Sequence, residues 1–267
     1  MKLLELPNLS WVAMAGNPFM QHVKLAEEAK QFKLKVLDDI PEGTGDILGE
    51  GAGGITRKVI WKDHQPVAVK TFCGAMTSDG SPEAERQMAL TISYKINDHD
   101  HLIDLFGETP NGALVMEYLD NYQALAGPPS METCSRDVYP SDRDNKHYMT
   151  EPQALSMVTG LLDVLDHLHA HGICHGDFYA HNILVSDQDR FQVKLSDFGA
   201  AFFYDHEADY GKPLERTELR AFSHLVDEVR EHFADEKQSL FQDLASACRE
   251  ATASFAKVNA YWKETCK

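Results

Sequence analysis

Apolar and polar positions alternate in short runs over the first half of the chain, then shift to helical spacing. Asp46–Gly49, Arg57–Trp61 and Pro66–Phe72 read as strands of a small antiparallel sheet, with His101–Phe106 and Ala113–Met116 as two more. Between them, Ser81-Pro82-Glu83-Ala84-Glu85 opens a helix, with Ser at the cap, Pro first and acids in the first turn. Ala84, Met88, Ile92 and Ile96 continue it at helical spacing. The stretch from Gly127-Pro128-Pro129 to Thr150 is polar and rich in Asp, Arg and Ser, which predicts a loop or loose helical insertion. Glu151-Pro152 starts a long helix whose apolar face is Leu155, Val158, Leu161, Leu162, Leu165 and Leu168, ending near His169. His167, His169 and His171 are two apart on that helix and point away from one another, so they are not read as a metal site. Short strands at Ile183–Val185 and Phe191–Leu195 follow. An amphipathic helix begins near Glu215, and a final one presents Leu240, Leu244, Cys248, Phe255, Val258 and Trp262.

Two glycine- and acid-bearing segments interrupt this pattern. Leu48-Gly49-Glu50-Gly51-Ala52-Gly53-Gly54 contains Gly-x-Gly-x-x-Gly, and Val67-Ala68-Val69-Lys70 follows after a gap. Arg57–Trp61 reads as a strand, so these glycines join two strands and do not open a dinucleotide-binding helix. Without Cβ atoms, backbone N–H groups can approach phosphate oxygens closely. Lys70 ends an apolar strand, which buries its stem and leaves its ammonium to reach a phosphate. Downstream, Gly172-Ile173-Cys174-His175-Gly176-Asp177-Phe178-Tyr179-Ala180-His181-Asn182 is followed by Ser196-Asp197-Phe198-Gly199. Asp177, an Asn five residues later and a second Asp twenty residues after the first supply what transfer from a metal–nucleotide needs. One carboxylate faces the acceptor hydroxyl; an amide and a carboxylate hold metal ions.

This set resembles the protein kinase-like superfamily: glycine-rich loop, strand lysine, catalytic loop and Asp-Phe-Gly motif. The resemblance implies an α+β, two-lobed fold: an extension at 1–40, a small antiparallel-sheet N-lobe at 41–119 and a reduced helical C-lobe at 120–267. It implies ATP under Gly49, Glu50, Gly51, Ala52, Gly53 and Gly54, with Lys70 on the α/β-phosphates. Glu85 would pair with Lys70, with Glu83 as the reserve; the alternative is that both only complement the helix dipole. Ala68, Met116, Leu184 and the backbone of Glu117 and Leu119 would frame the adenine. Asp197 and Asn182 would ligate Mg²⁺ or Mn²⁺, and Asp177 would take the acceptor hydroxyl's proton. His175 would be architectural, bonding backbone near Asp197-Phe198-Gly199. Glu218 stands where the family's central helix usually has an Asp.

Composition narrows the class further. A chain of 267 residues, 43% hydrophobic, can bury the core of one two-lobed unit. Its net charge of −17 argues against a nucleic-acid or anionic-membrane partner. Cys73, Cys134, Cys174, Cys248 and Cys266 are odd in number and scattered, which points to reduced thiols and a cytoplasmic setting. There is no long apolar run and no basic-then-apolar leader.

Leu6, Leu9, Val12 and Met14, with Asn17 at the ladder position, fit the last turn of a leucine-rich repeat, or equally an ordinary apolar strand and turn. A single repeat cannot bury its own face, so it would be an array remnant or a cap on the kinase lobe. Only 68 residues follow Gly199, Ala-Pro-Glu is absent, and Tyr179 replaces the Lys that stabilises the transferring phosphoryl group. The acceptor therefore stays open. It is a protein hydroxyl, or a small molecule as in enzymes similar to aminoglycoside and choline kinases, or there is none, as in a pseudokinase scaffold. Because Lys70, Asp177, Asn182 and Asp197 are all present, the reading favours an enzyme. Gly176 precedes Asp177 where an Arg usually receives an activation-segment phosphate, so activity independent of phosphorylation is expected. Phe202, Phe203 and Tyr204 would hold that segment instead.

Overall fold

The computed structural model describes residues 2–12, 14, 31–51, 53–73, 81–96, 99–130, 137–139, 149–186, 192–231 and 238–266. Ala52, Asn17, Phe191, Cys134 and most of the polar insertion lie outside the described residues. The chain divides into two compact units. One takes in Ala13–Asp120 and Phe198–Phe203; the other takes in Met1–Val12, Asn121–Asp197 and Tyr204–Lys267.

The first unit is a five-stranded antiparallel sheet with one helix. Strands β1 (Asp46–Gly51), β2 (Gly54–Ile60), β3 (Pro66–Phe72), β4 (Leu105–Glu108) and β5 (Leu114–Glu117) run in the order β1-β2-β3-β5-β4. Val67, Val69 and Val115 alternate onto one face and pack with Val59, Leu37 and Ile40. The other face carries Leu114 and Met116 toward Leu90 of helix α1 (Pro82–Lys95). Ser81 Oγ accepts the amide of Ala84 at 3.1 Å, which is the cap its sequence announces.

The second unit is mainly helical. It contains the three-stranded sheet β6 (Tyr122–Ala124), β8 (Ile183–Ser186) and β9 (Val193–Leu195) and, apart from that sheet, the two-residue strand β7 (Ile173–Cys174). Helices α2 (Glu151–Ala170), α3 (Gly211–Glu231), α4 (Gln238–Cys248) and α5 (Phe255–Thr265) enclose the core. Val158, Leu161, Leu162, Leu165 and Leu168 of the α2 stripe are buried and Leu155 is partly so, and α5 locks onto α2 through Trp262 Nε1 donating to Thr159 Oγ1 at 2.8 Å. No helix among the described residues is long and apolar enough to cross a membrane.

Two expectations change. The final helix is two helices: the chain turns at Arg249–Ser254, and Ser254 Oγ caps α5 by accepting from Lys257 N at 3.3 Å. The repeat reading of the N-terminus also fails on its described part. Leu6, an inward position of that pattern, is 50% exposed, and residues 6–12 form no strand. Instead Leu4 is buried, and Arg220 of α3 donates to the carbonyl of Leu9 at 2.5 Å, tying the segment to its own unit.

Candidate active site

In the sheet unit, the register Thr56↔Lys70 and Ala68↔Met116 puts Ala68, Lys70 and Met116 on one face. Glu85 is on the buried side of α1, and its carboxylate takes the Lys70 ammonium. Glu83 instead faces Arg86 at 3.6 Å, so Glu85 is the partner. The glycines divide by role. Gly49 and Gly51 lie on exposed β1 with nothing within 4 Å of a would-be Cβ. Gly54 has φ +155°, and a Cβ there would meet the Thr71 carbonyl at 2.3 Å. The neighbouring strand by itself requires glycine there. A Cβ on Gly53 would lie 3.7 Å from Glu85 Oε2, so the loop tip hangs over the ion pair. Glu50 is exposed on β1.

Lys70 and Glu85 are both largely buried, so removing one strands the other. Lys70→Met is expected to lower stability by about 3 kcal/mol and abolish transfer, while Lys70→Met/Glu85→Gln regains stability without activity. Thermal melts beside turnover assays check this.

In the helical unit, the loop after β7 is built on Glu218 of α3. Its carboxylate accepts from His175 N at 3.0 Å, Gly176 N at 2.7 Å and His169 Nε2 at 2.6 Å. Burial works against that charge. The hydrogen bond from His169, the charges of His169 and His175 and the Gly176 amide outweigh it and hold the carboxyl at about 2. The Cys174 thiol also bonds to Glu218, and burial raises its pKa, so it is a proton donor there. His169, Cys174 and Glu218 place donor atoms within 4.8 Å of one another, and these hydrogen bonds account for the cluster.

From this base the reactive groups are positioned. His175 Nε2 donates to the Ser196 carbonyl at 2.9 Å, next to Asp197. Asn182 Nδ2 donates to the carbonyl of Asp177 at 2.9 Å and to its Oδ2 at 2.8 Å. Both partners only accept, which fixes the amide orientation and leaves Asn182 Oδ1 as the remaining acceptor. The Asn182 carbonyl receives Ser196 N at 3.0 Å and Ser196 Oγ at 2.8 Å. Asp197 itself has φ +57°, a left-handed conformation that costs a non-glycine residue energy and is common at functional sites. An amide oxygen and a carboxylate are hard donors that suit Mg²⁺ or Mn²⁺. The fit is good.

The remaining sequence candidates are less constrained. Leu184 sits mid-strand in β8, opposite Lys194, while Ile183 and Val185 point into the core. Glu117 N donates to the Asp104 carbonyl at 2.9 Å, so this amide is committed inside its own unit. Leu119 lies just beyond β5.

Sequence reasoning missed several residues. Asp137 accepts from His181 N at 3.1 Å and pairs with His181 Nδ1 at 2.9 Å, four residues after Asp177. Burial opposes the imidazolium of His181, but the Asp137 hydrogen bond and the charges of Asp137, Asp177 and Asp197 raise its pKa. Tyr179 stacks on this ring with centroids 5.8 Å apart. These acidic neighbours favour the charged form of His181, in the loop where Tyr179 replaces the usual Lys. No sequence signal linked Asp137 to it, because Asp137 lies 44 residues upstream.

The family model for the protein kinase domain matches residues 43–221, about two-thirds of the chain. The chain belongs to the protein kinase domain family. It is 26% identical over 170 residues to a probable LIM domain-containing serine/threonine-protein kinase of Dictyostelium discoideum, covering 64% of this chain and 16% of that one. It is 27% identical over 158 residues to serine/threonine-protein kinase grp of Drosophila melanogaster (59% and 28%). With serine/threonine-protein kinase PknB of Mycolicibacterium smegmatis it shares 29% over 173 residues (59% and 24%). The chain therefore spans less than a third of the length of each of these relatives.

In this protein kinase domain the segment after Asp197-Phe198-Gly199 is packed by aromatic residues. Phe202, Phe203 and Tyr204 are all buried. Tyr204 N donates to the Gly172 carbonyl at 2.8 Å, where φ of +71° and the close Tyr204 carbonyl both require glycine. The Tyr204 hydroxyl meets His169 Nδ1 at 2.7 Å, which links the segment to Glu218 through one imidazole. A phosphate on Tyr204 or on buried Thr217 has no room in this packing. Phosphatase treatment is expected to leave ATP turnover unchanged, and Tyr204→Phe to cost about 1–3 kcal/mol by leaving His169 without its partner. A collapse of turnover after phosphatase, with the protein still folded, would contradict this.

Proposed function

We propose that this chain is an ATP-dependent phosphotransferase that moves the γ-phosphoryl group of Mg–ATP to a hydroxyl on a protein acceptor. The observation that supports it best is the Asn182 clamp on Asp177, made within a loop anchored by Glu218. Asp177 is oriented by this clamp to accept the acceptor's hydrogen bond and, as the O–P bond forms, its proton. Asn182 Oδ1 and Asp197 would hold Mg²⁺, or Mn²⁺, which neutralises charge on the nucleotide phosphates when bound. Lys70, kept in place by Glu85, binds phosphate oxygens. The similarity to serine/threonine-protein kinases favours a protein acceptor over a small molecule.

The test is transfer of labelled γ-phosphate by purified protein with Mg²⁺ or with EDTA. Peptides bearing Ser, Thr and Tyr are offered in parallel with choline and an aminoglycoside. Metal-dependent labelling of peptide supports the proposal. Labelling of the small alcohols alone would reassign the acceptor, and no turnover with any acceptor would overturn the reading.

A further inference from the structure

A second cavity, of about 460 Å³, lies within the helical unit, away from the loop that carries Asp177. One wall is α3 and the end of α4, which supply Arg216, Arg220, His224 and Arg249; the N-terminal segment supplies Leu4 and Pro7. That volume falls among ordinary small-molecule sites. Its chemistry is unusual for a chain of formal charge −17 with 42 acidic and 25 basic residues.

Arg216 and Arg220 are four apart on one helix, where like charges repel. Their hydrogen-bond partners are neutral: Arg216 donates to the Ala251 carbonyl at 3.2 Å, and Arg220 to the Leu9 carbonyl and to Thr217 Oγ1 at 3.2 Å. Glu5 and Glu250 also line the cavity, yet neither forms an ion pair with these two arginines among the described residues. Arg249, at the exposed rim, is bonded to Asp227. Burial first, and then Arg216, disfavours the charge on Arg220. His224 is likewise lowered by burial and by Arg249, with Asp227 opposing and Arg220 adding to the effect. Leu4, Pro7 and Ala251 add apolar surface, and burial pushes the Cys248 thiol up to about 12, so it stays uncharged there. Two guanidiniums that form no ion pair with the cavity's carboxylates, beside Leu4, Pro7 and Cys248, suit an anion with an organic body.

We propose that this cavity is a second ligand site for a small phosphate- or carboxylate-bearing molecule, gripped by Arg216 and Arg220, with Arg249 at its rim. The occupant's apolar portion lies against Leu4 and Cys248. The site shares α3 with Glu218, the anchor of the catalytic loop, and shares Arg220 with the N-terminal segment.

Phenyl phosphate and benzoate test it by calorimetric titration of the full chain, with chloride held constant and the nucleotide site filled by a non-hydrolysable ATP analogue. The proposal expects saturable binding of at least one probe, weakened about tenfold or more in Arg216→Ala, the loss of one charge-assisted fork contact. Preference for phenyl phosphate identifies a phosphate ligand, and preference for benzoate a carboxylate ligand. Should Arg216→Ala melt abnormally, Arg249→Gln at the exposed rim replaces it, with a smaller loss expected. No saturable binding of either probe, or full affinity in the arginine variants, would overturn the site.

Discussion

Asp197→Asn is expected to cut phosphoryl transfer by about three orders of magnitude or more, roughly 4 kcal/mol in the barrier. The substitution is unusually clean. Asp197 sits at φ +57°, a conformation that Asn adopts readily, so the backbone has no reason to move. What changes is one carboxylate oxygen and its charge. The variant should melt like the parent, bind ATP normally in EDTA and lose the Mg²⁺-dependent gain in ATP affinity. Turnover at the parental rate would remove Asp197 from the metal role.

The second large effect belongs to Glu218, buried beneath the loop that carries Asp177. Glu218→Ala leaves the amides of His175 and Gly176 and the ring of His169 buried without their acceptor. Each stranded donor costs about 1–3 kcal/mol, so a loss on the order of 5 kcal/mol is expected, enough to unfold the helical unit. A subtler test uses pH. The Glu218 carboxyl titrates at about 2 in the folded chain against an ordinary 4.5. Its folded pKa is depressed, so its stabilisation is complete above about 4.5 and erodes as pH falls toward 2. The difference corresponds to about 3 kcal/mol. Urea denaturation of Glu218→Gln between pH 2 and 6 should show a flatter profile than the parent. Parallel profiles would show that Glu218 carries no such charge.

The order of motifs made the family legible before any coordinates. Lys70, Asp177, Asn182 and Asp197 each have a fixed place relative to strands and turns that short-range patterning reveals. The cap at Ser81 and the apolar stripe of α2 were legible for the same local reason. What escaped was long-range pairing. His169 read only as one of three helix histidines spaced two apart, yet its partners Tyr204 and Glu218 lie 35 and 49 residues away. Asp137 stood in a segment read as loose, and its role depends on His181. The break between α4 and α5 was missed because apolar spacing continues on both sides of the turn. At Gly54 the sequence showed a glycine in a phosphate-type loop but not that the Thr71 carbonyl on the neighbouring strand also requires it.

Asp177 carries the central claim, that one carboxylate acts on the acceptor while other groups hold the nucleotide. The decisive measurement is the Asp177→Ala variant, with ATP affinity by titration and phosphoryl transfer by single turnover on the same preparation. A transfer rate reduced about a thousandfold or more, with ATP affinity changed by less than about twofold, is the predicted result. Transfer at the parental rate would contradict it, as would a large loss of ATP affinity in a variant that still folds.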